Sequence, residues 1–400
     1  MSDDQPQRIG SRIAELRKIH GDTQQALARR ANVSVSLLRK IERGERAASP
    51  AFVATVARAL SVSVIDVTEQ PYFSRNAGPV SDQAGVPALR QALVEGEDPD
   101  LDTATRTVVE LRGAVAEVKE WDRRSQHAEA VRALPDVLRH LHRAGHDLPV
   151  DQRAGVHELP AAAYSYAMVA LYRLGHLDLA HLADERARAT ASRGSDPVRA
   201  AVAEWNHALI LLFDGAYRAG IRSIDRGLAL ADIETGDPEA ATAVRGALHL
   251  RAAVIAARST NADLAESHLD EARNLAAPEH EKANFYGTKF GVVNVDIHRV
   301  AVPVELADGT TAVSRAATVR IPDETAPSRA GHYWIDLSRA WLLHGDRDRT
   351  LRSLQAARRI APQLTRYHPQ VHETVHALSS RDLRSTNSLS QFAAWCGIRH

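Results

Sequence analysis

Up to residue 70, apolar side chains recur at three- and four-residue intervals between short polar breaks. They form five runs: Ile9 to Ile19, Gln24 to Ala31, Val35 to Arg43, Pro50 to Leu60 and a last turn around Val64 to Val67. That period places the apolar positions on one face of a helix, so the block predicts five short helices. The breaks carry start signals. Thr23 and Ser34 precede runs as N-caps, and Ser49-Pro50 sets a cap before a proline in the first turn. Gly44 is placed to end the third helix. Between Gln70 and Asp100 stand Pro71, Gly78, Pro79, Gly85, Pro87, Gly96 and Pro99, a composition that predicts a linker with one short helix near Leu89 to Val94.

From Leu101 onward the pattern is helix after helix, and the helices pair. Leu174-Gly175-His176 leads into a run to Ala187, Asp214-Gly215-Ala216-Tyr217 into one to Gly227, and His344-Gly345-Asp346 into one through Leu354 and Ala357 to Pro362. A weaker copy starts at Thr260-Asn261 and continues past Ala265 and Ala272 to Pro278, and a poorer one lies near Asp308-Gly309. One helical pair cannot bury its own apolar face, so pairs recurring at this separation predict a stacked solenoid, against an irregular all-α bundle. The fold class is therefore all-α: a five-helix bundle over 1–70, a linker over 71–100 and helical pairs over 101–400. Low aromatic content (5%) and the absence of recurring strand-like alternation agree with this.

Charge is balanced overall, 50 Lys and Arg against 50 Asp and Glu, which argues against nonspecific coating of nucleic acid by the whole molecule. The balance is local only. From Arg8 to Arg58 there are eleven basic side chains against four acidic, so a basic footprint sits at one end. A single cysteine, Cys396, forms no internal disulfide, and no leader-like N-terminus or long apolar stretch is seen; a cytoplasmic protein without membrane contact is expected.

The segment from Gln24 to Ile41 resembles the helix-turn-helix of the phage-repressor (Xre-like) family along its length. Leu27, Ala31, Val33, Leu38 and Ile41 fill the core positions, Ala28 is small at the crossing, and Asn32 holds the left-handed turn where the family usually has Gly. Glu42 to Arg46, then Ser49-Pro50 and an apolar helix, extend the match to about 60 of the 400 residues. The resemblance implies that the helix from Ser34 to Arg43 enters the major groove while the helix from Gln24 crosses the backbone. It further implies that Val35, Ser36, Arg39 and Lys40 face the bases, with Ser34 at the helix start. Gln24 and Gln25 then meet a phosphate, and Arg43 and Arg46 hold phosphates at the edge. One such domain makes few contacts, so a homodimer on a double-stranded operator is expected.

His372-Glu373-Thr374-Val375-His376 fits the H-E-x-x-H pattern of zinc peptidases, and Asp382 stands where a third ligand could follow. Ser379 replaces the expected glycine, and the region continues a helical repeat, so the reading preferred is an exposed helix face bearing His368, His372 and His376, with no metal and no catalytic set. A DNA-associated metallopeptidase and a protein-recruiting scaffold remain as alternatives. Gly287 to Gly291 lacks phosphate-loop spacing, and Cys396, beside Trp395 and Ile398, reads as a packed hydrophobe. No cofactor is implied.

The concave face of a helical-pair solenoid is lined mainly by first helices, on which Trp205, Asn206, Phe213 and Asn294 fall. Trp205, Asn206 and Asn294 are the candidate ligand residues, with core packing preferred for Trp205 and Phe213. Trp334, Ser338, Trp341, Gly345, Leu354, Ala357 and Pro362 have tetratricopeptide-like spacing. With the Arg358-to-Pro362 stretch, they make the chain similar to helix-turn-helix regulators with tetratricopeptide sensor domains, including peptide-sensing regulators and the Arg- and Ala-rich regulators of actinomycetes. That likeness implies a peptide or small-molecule effector.

Overall fold

A computed structural model describes residues 8–72, 82–97, 106–153, 156–233, 237–379 and 387–398. Five helices open the chain: α1 (Ile9–Ile19), α2 (Gln24–Arg30), α3 (Val35–Glu42), α4 (Pro50–Leu60) and α5 (Val64–Thr68). Thr23, Ser34 and Ser49 each accept a backbone N–H three residues on, and Ser63 and Asp66 form a reciprocal capping box. Asn32 turns the chain with φ at 50°. Leu27, Leu38, Ile13, Val56 and Leu60 close one apolar core inside this bundle. Gly10 lies where α1 crosses α3, so tightly that a Cβ there would overlap the Ile41 carbonyl oxygen. Gly10→Ala is expected to cost about 1–3 kcal/mol by forcing the two helices apart, read as a lower melting point of the DNA-binding bundle.

Within 71–100, residues 73–81 and 98–100 lie outside the described residues, and α6 (Val86–Glu95) stands between them. Leu89 and Leu93 are fully buried in the same core as Leu134 and Leu138, so this helix belongs to the helical stack that follows.

Among the described residues six helical pairs then succeed one another: α7 (Val108–Arg123) with α8 (His127–Asp147), and, after the one-turn α9 (Val150–Arg153), α10 (Leu159–Leu174) with α11 (Leu177–Arg193). Next come α12 (Pro197–Phe213) with α13 (Tyr217–Ala231) and α14 (Pro238–Arg258) with α15 (Ala262–Leu275). After the short α16 (Pro278–Ala283), α17 (Val292–Glu305) pairs with α18 (Gly309–Ala316) and α19 (Pro327–His344) with α20 (Arg347–Ile360). α21 (Pro362–Tyr367), α22 (Pro369–Ser379) and α23 (Asn387–Cys396) close the stack. The described residues contain no strand.

One turn joins all six pairs. Ser125, Gly175, Gly215, Thr260, Ala307 and Gly345 are left-handed, and each donates its N–H back three residues while the next residue donates back five. This is the hydrogen-bond closure by which a helix ends on a left-handed residue. α14 is buried all round, and Gly246 in its middle leaves room for the Phe290 ring. It is long and apolar enough to cross a membrane, but 72% of that window is buried inside the protein.

Candidate nucleic-acid interface

α3 carries its apolar side inward through Leu38 and Ile41 and leaves Ser36, Arg39 and Lys40 exposed. Gln25, Arg43 and Arg46 are exposed around it. Ser34 is also exposed, with its hydroxyl accepting the Leu37 N–H at 3.1 Å. Val35, expected to point outward, is half-buried and packs against the bundle core, because the first turn of α3 is pressed onto the domain.

Gln24 and Arg39 meet on one network. The Gln24 amide donates to Glu42 at 2.7 Å, and its oxygen accepts from Arg39 Nε at 3.2 Å. Glu42 is in turn held by both arms of Arg17, at 2.8 and 3.1 Å. Since a carboxylate only accepts, this arrangement fixes which way the amide faces and aims the Arg39 guanidinium from α3. Neither Glu42 nor Arg17 was given a role at the interface from the sequence; acid within a basic footprint was the available signal.

The exposed side chains of α3 are not covered by the seam between the bundle and the helical stack. Glu373, buried on α22, accepts from Ile9 N at 3.3 Å and Ala48 N at 3.1 Å, so a carboxylate sits at the N-terminus of α1. His372 stacks on Tyr72 with ring centroids 4.1 Å apart, and its Nε2 lies 2.7 Å from the Arg366 carbonyl. Arg58 donates to the Gly215 carbonyl, and a Cβ on Gly215 would come within 2.5 Å of Ala54. The face bearing His368, His372 and His376 is therefore not exposed: His372 is buried and the other two are half-buried. Its helix is covered by the bundle docked on it, which periodicity along α22 cannot reveal. His372 and Glu373 are spent on this contact, and Asp382 lies outside the described residues.

A cleft of about 670 Å³, part of it open to solvent, runs along the seam between Pro50, Val53 and Val64 on one side and Tyr172, Arg173 and His368 on the other. Behind it lies a cavity of about 950 Å³, also partly open, walled by the first helices of successive pairs. Trp205 and Asn294 line it, and Asn206 lines its continuation toward α7. Trp205 donates its indole N–H to the Ala247 carbonyl at 3.0 Å, and Asn294 donates to the Lys289 carbonyl at 2.9 Å. Phe213 instead packs against the DNA-binding bundle and the edge of Tyr172. Cys396 is buried in the last apolar core, where burial pushes its thiol up to about 12.

No curated protein matches the chain. Over 70% of its length it aligns with 97% of the chain in the crystal structure of Bacillus thuringiensis PlcR in complex with the peptide PapR7 and DNA, at 15% identity and a TM-score of 0.28. The Helix-turn-helix family model matches residues 13–67, spanning α1 to α5. The chain carries at its N-terminal end a helix-turn-helix DNA-binding domain, docked through Glu373 onto a stack of helical pairs.

Proposed function

We propose that the protein is a cytoplasmic, non-enzymatic, sequence-specific transcriptional regulator that acts as a homodimer on an operator and whose helical stack senses a peptide or small-molecule signal. The observation that carries this reading is the exposed Ser36, Arg39 and Lys40 face of α3, left uncovered while Ile9, Ala48, Ala54 and Arg58 meet the stack. Ser36 and Arg39 read base edges from the N-terminal half of α3 and its middle, and Lys40 reads a base or a phosphate. Gln25, Arg43 and Arg46 hold the backbone, and the Ser34 cap orients the helix start. Gln24 acts through Arg39. Engagement of His372 and Glu373 in the seam supports the non-catalytic reading.

Sensing is supported by shared walls. Arg173, Arg258, His368 and Gln370 line both the seam cleft and the cavity behind it, and Gln370 reaches the Ala48 carbonyl at 3.5 Å. A ligand that favours one arrangement of these side chains biases how the DNA-binding domain is held, provided its affinity differs between arrangements.

Selection of genomic fragments on the full chain, followed by footprinting with and without cell extract, tests the proposal. A symmetric protected site that shifts with extract is expected; protection without any preferred sequence would reject it. In the same assay Arg39→Ala is expected to cost about 1–3 kcal/mol and to relax preference at one base position. If Lys40 meets a phosphate, Lys40→Ala lowers affinity evenly and reduces the salt slope by about one.

A further inference from the structure

The cavity behind the seam is strongly cationic, and its charges do not cancel. Each carboxylate on its wall already has a basic partner. Glu305 bonds Arg258 at 3.0 Å and Arg339 at 2.9 Å, Asp336 bonds Arg339 at 3.0 Å, and Asp122 pairs with Lys289 in the continuation toward α7. Arg173 on α10, Arg251 on α14 and Arg329 on α19 face the same space, and among the described residues none has a carboxylate within 4.0 Å. The Nε of Arg251 and of Arg329, and the Nε2 of His332 on the same wall, are buried without a hydrogen-bond partner.

Two of these cations are held by rings. Arg251 lies over Trp205, 4.6 Å from the centroid, and Arg173 over Tyr172 at 5.1 Å. A guanidinium on a ring face keeps its in-plane N–H groups for an acceptor. Burial, and then the neighbouring arginines, bring Arg251 down to about 9 and Arg329 to about 10. Three cations gathered around one partly open cavity, with their side chains turned out of bulk water, oppose folding unless something negative joins them.

We propose that this cavity binds a small molecule carrying two or more phosphate or carboxylate groups, clamped by Arg173, Arg251 and Arg329. A linear peptide without acidic side chains brings one C-terminal carboxylate and an ammonium, which leaves most of the charge unanswered, whereas a multiply charged anion offers a partner to each of the three forks. The inference rests on the sensing role proposed above and names the chemistry sensed.

Pyrophosphate and citrate serve as probes on the full chain, compared with chloride at equal ionic strength, by calorimetry and thermal melting. Saturable binding and a higher melting point are expected with at least one probe. Arg251→Gln and Arg329→Gln should each weaken it roughly 10- to 100-fold, as loss of a charge-assisted pair does, while the exposed Arg273→Gln leaves it unchanged. Without any probe the same two cavity variants should melt at or above the wild-type temperature, because each removes a repelled cation; that sign separates them from variants that fold poorly.

Absence of saturable binding by both probes, or binding that survives both cavity substitutions, overturns the proposal. Operator binding is measured alongside. Arginine-dependent anion binding that leaves operator affinity unchanged supports the site and rejects its signalling role. An extract effect on the operator that neither probe competes rejects the anion and leaves sensing standing.

Discussion

Glu305→Gln is expected to destabilise the helical stack by about 3–5 kcal/mol, read by urea unfolding of the full chain. Glu305 joins two buried guanidinium groups from different pairs, Arg258 of α14 and Arg339 of α19, and its side chain is only 6% exposed. The amide of glutamine fills the same volume without the charge. Arg339 then keeps Asp336, but Arg258 is left without a carboxylate among the described residues. Leaving a buried charge uncompensated is one of the few single changes that costs this much. The same group predicts a pH dependence. Burial pushes the Glu305 carboxyl up, but Arg258 and Arg339 more than offset this and hold it at about 2, below its ordinary 4.5. A carboxyl lowered by folding contributes stability above pH 4.5 that is lost as pH falls toward 2. That part of the acid transition should vanish in Glu305→Gln.

Glu373→Ala is expected to loosen the docking of the DNA-binding domain by about 2–4 kcal/mol, since it leaves the N–H groups of Ile9 and Ala48 without their acceptor inside the seam. Hydrogen exchange at those two amides reads the change directly, as roughly 30- to 1,000-fold faster exchange at matched pH. Exchange in the core of the helical stack, at Leu134 for instance, should stay as in the wild type. Here the pH dependence has the opposite sign. Burial pushes the Glu373 carboxyl up to about 7, against the pull of the Ala48 and Ile9 N–H groups. The docked form therefore takes up a proton more readily than an undocked one, so docking is strongest below pH 4.5 and weakens as pH rises through 7. Glu373→Gln keeps an acceptor and should abolish that slope; an unchanged slope in this variant would remove Glu373 as its source.

The contrast between these two glutamates shows what a sequence can carry. The helix-turn-helix was legible because its signals are local: a capping hydroxyl three residues before the N–H that donates to it, Asn32 at a left-handed turn, and apolar spacing within one helix. The helical pairs were legible in proportion to their turns. Gly175, Gly215 and Gly345 announced theirs, whereas Thr260 and Ala307 take the same left-handed backbone without a glycine and gave weaker copies, and Ser125 marked a pair that was not singled out. α14 is buried on every side, so no polar face marks its period.

The seam was not legible. Glu373 reaches Ile9 across 364 residues, and His372 stacks on Tyr72, which is likewise remote in the chain. Along α22 they look like a zinc motif or a solvated face. The cavity arginines are hidden in the same way, because Arg173, Arg251 and Arg329 read in sequence as polar positions of helices and turn toward one space only when the pairs stack. Of the candidate ligand residues, Trp205 and Asn294 line that space and Asn206 its continuation.

The central claim, that α3 reads DNA sequence, is tested most directly by the affinity of the full chain for its selected operator relative to a scrambled duplex, in the wild type and in Arg39→Ala. The account predicts that the wild type prefers its operator by a large factor and that Arg39→Ala shrinks this ratio roughly 5- to 150-fold while binding to scrambled DNA changes little. An undiminished ratio in Arg39→Ala, or a wild type that binds both duplexes equally, would contradict it.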